Sequence, residues 1–260
     1  APNKERAIAV WLFVLCALIF AMVLLGGATR LTHSGLSMVE WRPLFGILPP
    51  MSEAAWQNVF QQYQEFPEYQ KINFTMSLAE FKRIFLFEYS HRVLGRAIGV
   101  AFALPFLYFL LRRRLSWQLA PRLAVMFVLG ALQGVLGWYM VQSGLVERPD
   151  VSPYRLTAHL GLAVVIYAYM LWTAMSLLQP VRRAPFAVGR GRGRALRIAA
   201  PIVTGAVFLT ILSGGFVAGN DAGLAYNSFP LMDGRFVPAD IFRLEPWGRN
   251  FFENLPLVQL

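Results

Sequence analysis

The sequence predicts an all-α integral membrane protein: a bundle of four transmembrane helices, then the first helix of a second, similar bundle, with long loops on the outer side. Three observations predict it. The 260 residues are 57% hydrophobic and only 15% charged, against about 25% charged in ordinary soluble domains. Five apolar runs, at 7–26, 91–111, 121–142, 156–178 and 197–217, reach the roughly 20 residues that a helix needs to cross a bilayer. The third observation is the placement of the basic residues.

Lys4 and Arg6 precede the first run. Arg112, Arg113, Arg114 and Arg122 separate the second from the third, and Arg182, Arg183, Arg190, Arg192, Arg194 and Arg197 separate the fourth from the fifth. These segments hold twelve of the 24 basic residues and one acid, Glu5, while the other thirteen acids lie in or beside the alternate connections. Such a bias marks the cytoplasmic side. It predicts a cytoplasmic (or matrix) N-terminus and outer loops at 27–90, 143–155 and 218–260. The net charge of +10 therefore reports topology, and no nucleic-acid partner is expected.

Taken in order, the first span, "AIAVWLFVLCALIFAMVLLGG", exceeds the apolar core of a secretory signal, lacks an A-x-A cleavage site and continues into a patterned loop. It reads as a mature helix. Ala1 is not an initiator methionine, so further residues are expected upstream. The lone cysteine, Cys16, falls inside this span and reads as a packing residue. In the outer loop that follows, Ser77 and Glu80 form an S-x-x-E capping box, which starts a helix leading into the second span. In the third span, Gly130, Gly134 and Gly137 make a small-residue face suited to close helix contact or to a flat ligand. The stretch "VGRGRGR" reads as a flexible basic linker. It divides the chain into an N-terminal bundle (1–181), an inner linker (182–196), and the first helix and outer loop of an incomplete second bundle (197–260).

The ends of the first and fifth spans resemble each other. "GGATRLTHSGLSMVEW" (26–41) and "GGFVAGNDAGLAYNSF" (214–229) align without gaps at an offset of 188, with Gly26, Gly27, Gly35 and Leu36 matching Gly214, Gly215, Gly223 and Leu224, and Trp41 facing Phe229. Both follow an inside-to-outside span, so a four-helix unit repeated in parallel is expected.

The chain has three histidines. His33 lies among polar loop residues and reads as solvated. His91 stands at the outer end of the second span, and His159 about four residues into the fourth, which runs the same way. Two such imidazoles on facing helices can clamp a haem iron from both sides. Capping, snorkelling or bonding to a neighbouring helix are the alternatives, and ionisable groups within spans are commonly functional. Glu88 precedes His91 by three residues and shares its helix face. It can serve as proton acceptor or as a negative charge opposite a developing cation, or simply pair with Arg92 at i,i+4. A di-iron centre needs a second Glu-x-x-His, and "PYRLTAH" before His159 supplies no acid. Arg92, Arg96 and Arg155 lie near the same outer rim, where guanidinium groups suit the propionates of a haem or snorkel to the interface.

Together, "GGATRLTHSGLSMVEW", the "FPEY" loop, "EYSHRVLGR", "QGVLGWYMVQSGL", "YRLTAHL" and "GGFVAGNDAGLAYNSFPLMDG" resemble the haem A synthase family of aerobic bacteria and mitochondria, in family order and over nearly the whole chain. The outer-loop pattern is similar to that of alpha-proteobacterial and mitochondrial members and lacks the cysteine pair of some other bacterial ones. The resemblance implies eight helices in two four-helix bundles, with haem O as substrate in the first and a haem b cofactor in the second. It implies Glu88 as the catalytic glutamate, His91 and His159 as the haem-ligand pair, and stepwise oxidation of a porphyrin methyl to the formyl group of haem A by hydroxylation and loss of water. The haem b ligands are expected beyond "FFENLPLVQL", so none is assigned within this chain. The partners expected are the lipid bilayer, haem O, haem O synthase as its supplier, an electron acceptor and a second copy of the chain. The expected location is the bacterial cytoplasmic membrane, with the mitochondrial inner membrane second. Two other classes remain open on the residues alone: a di-haem b electron-transfer subunit, and a transporter or assembly factor whose histidines only join helices.

Overall fold

A computed structural model describes residues 2–40, 48–146, 149–178, 190–228 and 230–260. The described residues are helical with no strand. The helices are α1 (Pro2–Leu31), α2 (Glu53–Gln64), α3 (Pro67–Lys71), α4 (Leu78–Leu111), α5 (Leu119–Gln142), α6 (Pro153–Leu178), α7 (Arg190–Gly219), α8 (Asn250–Glu253) and α9 (Leu255–Gln259). Five of them (α1, α4, α5, α6 and α7) are long and apolar enough to cross a membrane. They are the five expected spans, α1 and α7 extended at both ends and α4, α5 and α6 at the N-terminal end only. Large apolar side chains such as Phe20, Leu24, Leu104, Val135, Trp172 and Leu209 are exposed on them, as lipid-facing helices require.

Two compact units are present: Ala1–Val151 with Leu162–Pro180, and Ser152–Gly161 with Val181–Leu260. In the first, Ile8, Leu12, Leu15 and Cys16 of α1 bury against Phe102 and Phe106 of α4, Leu119, Leu123 and Met126 of α5, and Ile166, Met170 and Ala174 of α6. Cys16 is thus a packing residue, as its lone position suggests. Pro105 lies inside α4 and has no N–H for the carbonyl of Ala101 one turn earlier. Trp11 of α1 supplies the donor instead, its Nε1–H reaching Ala101 O at 2.8 Å. Membrane helices tolerate proline where a neighbour satisfies the freed carbonyl in this way.

The segment between α1 and α4 has its own core. Tyr63, Phe81 and Phe85 are buried, with Trp56, Phe60, Tyr69 and Met38 packed on them. Ser52 caps α2 by accepting from the Ala55 N–H, and Pro67 opens α3. The reading of this stretch as loop missed both short helices. The capping box at Ser77 and Glu80 is present with both of its bonds. It starts α4 thirteen residues ahead of the expected span, so Glu88 and His91 sit on a helix already three turns old. Among the described residues, none comes within 4 Å of where a Cβ on Gly130 or Gly134 of α5 would stand, so neither makes the close contact their spacing suggests with a described helix.

In the second unit, Pro153, Thr157 and Gly161 of α6 pack against α7. A Cβ on Gly215 would fall 2.8 Å from Thr157 Oγ1, and one on Gly219 2.7 Å from Pro153 Cα. α7 begins at Arg190, inside the stretch read as linker; 182–189 lie outside the described residues, as do Trp41 and Phe229.

The sequence repeat is also a repeat of backbone geometry. α1 ends at Leu31 and α7 at Gly219, one offset of 188 apart. His33 and Asp221, again one offset apart, both take the left-handed conformation, with φ of 49° and 51°. Thr32 N–H bonds Ala28 O and His33 N–H bonds Arg30 O; correspondingly, Asn220 N–H bonds Phe216 O and Asp221 N–H bonds Ala218 O. Each helix therefore stops on a left-handed residue that is not glycine, a conformation His and Asp visit more readily than most. Each then turns with Ser37 N–H on Ser34 O, or Ala225 N–H on Ala222 O.

Candidate functional site

Glu88 and Arg92, one turn apart on α4, are brought together: Arg92 Nη2 lies 2.5 Å from Glu88 Oε1, with both side chains largely buried. The other carboxylate oxygen, Oε2, accepts from Ser37 Oγ at 2.8 Å and from the Met38 N–H at 2.7 Å. Arg92 also donates to Met38 O at 2.8 Å and to Glu40 O at 3.0 Å. The ion pair therefore clamps the turn after α1 onto α4. A buried carboxylate is tolerable on these terms, with an opposite charge and charge-assisted hydrogen bonds on both oxygens. Ser37 and Met38 stand in the quoted 26–41 stretch, but their role as partners of Glu88 depends on a contact across 50 residues of chain.

His91 lies beside α1. A Cβ on Gly26 would stand 3.2 Å from His91 Nε2, so the absent side chain leaves that nitrogen room. On α4, His91 precedes Ile98, Phe102 and Phe106 by seven, eleven and fifteen residues, and all three pack in the bundle core. On α6, His159 precedes the core residues Ile166, Met170 and Ala174 by the same three intervals. At 3.6 residues per turn these intervals keep one helix face, and at 1.5 Å per residue each imidazole stands about 10 Å above the first core residue of its helix. Both histidines are half-buried, while His33 is exposed. Arg96 lies one turn beyond Arg92 on α4, and Arg155 one turn before His159 on α6; both are half-buried. Glu88, His91, Arg92 and Arg96 belong to the first unit, and Arg155 and His159 to the second.

Glu68, in the "FPEY" loop, is a buried acid that the sequence reading did not single out. It accepts from Tyr63 Oη at 2.9 Å, and Tyr63 Oη in turn accepts from Asn73 Nδ2 at 2.7 Å. Burial pushes its carboxyl up to about 8; the charges of Glu88 and Asp150 add to the rise, and the Tyr63 hydrogen bond opposes it. The same burial pushes the Tyr63 hydroxyl up. Among the described residues, no group of three or more His, Cys, Asp or Glu side chains is placed to hold a metal ion.

Residues 9–260 match the family model described as cytochrome oxidase assembly protein. The chain is 56% identical over 255 residues to a "Heme A synthase" of Nitrosospira multiformis, covering 98% of this chain and 71% of that protein. It is 51% identical to a "Heme A synthase" of Nitrosomonas eutropha, covering 99% and 72%. It is 47% identical to "Heme A synthase COX15" of Arabidopsis thaliana, covering 100% and 58%. No solved structure matches it.

Proposed function

This chain belongs to the cytochrome oxidase assembly protein family that contains the haem A synthases, and we propose that it oxidises the methyl group of haem O to the formyl group of haem A. It is a membrane enzyme that modifies haem for terminal oxidase assembly. The observation that carries the site assignment is the matched placement of His91 and His159, at the same three intervals from the core residues of α4 and α6.

In this reading the two imidazoles take the iron of haem O between them, each through a neutral ring nitrogen. Gly26 fits the role, since a side chain there would press on His91 Nε2. Arg96 and Arg155 receive the propionates. Arg92, whose terminal nitrogens already bond Glu88, Met38 and Glu40, supports the carboxylate first and the outer rim second. Haem O would be the group oxidised, and the electrons removed from its methyl group would pass to a separate electron acceptor. Glu88 contributes a fixed negative charge, preorganised by Ser37, Met38 and Arg92, which steadies positive charge developing on the porphyrin edge or takes its proton. To act as base it exchanges one of these donors for the substrate.

No histidine lies within 181–260, so this part of the chain does not by itself offer imidazoles to a haem b cofactor. The reading places the protein in the bacterial cytoplasmic membrane with its N-terminus cytoplasmic. Haem O synthase is the supplier of substrate, and a homo-oligomer is the working form.

The test is optical. Protein purified from cells making haem O is expected to show a low-spin, bis-imidazole haem spectrum. His91→Ala or His159→Ala should each convert it to a high-spin or haem-poor form, and Glu88→Gln should keep the spectrum while haem A disappears from the extract. An unchanged spectrum in both histidine variants would overturn the clamp.

A further inference from the structure

The backbone repeat gives Met38 a counterpart, Tyr226, one offset of 188 later. In the first unit the N–H of Met38 donates to Glu88 Oε2 at 2.7 Å, and its carbonyl accepts from Arg92 Nη2 at 2.8 Å. In the second unit the N–H of Tyr226 donates to Gln259 Oε1 at 3.0 Å, and its carbonyl accepts from Gln259 Nε2 at 2.8 Å. Both turns are thus held by a side chain of a later helix, α4 in one case and α9 in the other, 50 and 33 residues further along the chain. A carboxamide carries an acceptor and a donor on one group, so a single glutamine does what the Glu88–Arg92 pair does.

We infer that Gln259 is the second unit's uncharged counterpart of Glu88, that the two share the task of holding the outer turn, and that the negative charge of Glu88 is the part reserved for oxidation. The energetics favour this division. Burying an ion pair carries a desolvation cost that a neutral amide avoids, and Gln259 shows that the turn itself asks only for an amide. A charged solution at Glu88 therefore answers to something other than the turn. The last step rests on the reading of Glu88 as the residue facing the haem O substrate; the equivalence of Gln259 does not.

Hydrogen–deuterium exchange on the purified protein separates the two. Gln259→Ala removes both bonds to Tyr226. Exchange in peptides covering 222–228 is expected to quicken roughly tenfold, with peptides covering 34–40 unchanged. Equal exchange in 222–228 overturns the equivalence, whatever Glu88 does. Glu88→Gln, and the double variant Glu88→Gln with Arg92→Met that rebuilds the neutral arrangement of the second unit, are expected to hold exchange in 34–40 within about threefold and to retain the haem spectrum. Haem A is expected to be lost from the extract in both. Loss of protection in 34–40 in both variants would show that the charge serves the turn, and overturns the division of tasks. Haem A formed at the wild-type rate in both variants would instead sink the catalytic reading of Glu88, leaving the Gln259 result standing.

Discussion

The indole N–H of Trp11 occupies the hydrogen-bonding position that Pro105 leaves open on Ala101, 2.8 Å from its carbonyl oxygen. α1 and α4 are thereby joined at a point where α4 cannot satisfy itself. Trp11→Phe keeps an aromatic ring against Phe102 and Phe109, which lie 5.2 and 5.8 Å from the indole, but removes the donor. The expected cost is about 1–3 kcal/mol for the orphaned carbonyl, read as a lowered Tm in detergent. Pro105→Ala restores the backbone donor, so in the Trp11→Phe background it should recover most of the loss. Strictly additive effects of the two substitutions would show that the bond does not compensate the proline.

Gly26 faces the imidazole of His91. Gly26→Ala places a Cβ 3.2 Å from Nε2, close enough to shift the ring by a few tenths of an ångström, and Gly26→Val adds two methyl groups in the same direction. A graded response is expected: a weakened low-spin haem spectrum in the alanine variant, and haem content reduced at least several-fold in the valine variant with helical circular dichroism unchanged. Full haem loading of the valine variant would mean that His91 meets its ligand from another side.

The pH dependence expected of the outer loop follows from Glu68. Its carboxyl titrates at about 8 in the folded protein against an ordinary 4.5, so the folded state holds the proton more tightly than the unfolded chain. Its contribution to stability is fully present below about pH 4.5, is lost progressively as the pH rises, and is gone above about pH 8. Tyr63, Glu88 and Asp150 are the titratable groups that act on it. Glu68→Gln keeps an acceptor for Tyr63 and removes the ionisation. Thermal unfolding of the variant should lose this slope between pH 5 and 8; the same slope in both proteins would assign it to another group.

His33 is exposed at the turn after α1, and the one native cysteine, Cys16, is buried in the bundle core. His33→Cys is therefore expected to react with a membrane-impermeant maleimide added outside intact cells, while the parent protein does not. Labelling only after the membrane is opened would invert the orientation read from the arginines.

Hydropathy was enough to read the five spans, because membrane insertion sums over contiguous side chains and needs no distant partner. The capping box at Ser77 was legible for the same reason, its bonds closing within one turn of chain, whereas the left-handed residues His33 and Asp221 beyond α1 and α7 were not singled out. The histidines could be picked out from residue type and depth. Which residues of α4 and α6 pack in the core, Ile98, Phe102 and Phe106, and Ile166, Met170 and Ala174, became definite only in the structure.

What the sequence alone determined, then, is the set of membrane helices and the repeat that relates the end of α1 to that of α7. Tertiary structure decided the partners: Ser37 and Met38 for Glu88, Ala101 for Trp11, Tyr63 for a buried Glu68, and Tyr226 for Gln259. The physical reason is that most of these bonds fall on backbone amides and carbonyls, which every residue carries alike. Which of them a side chain meets is set by how distant segments fold back, and residue identity does not encode it.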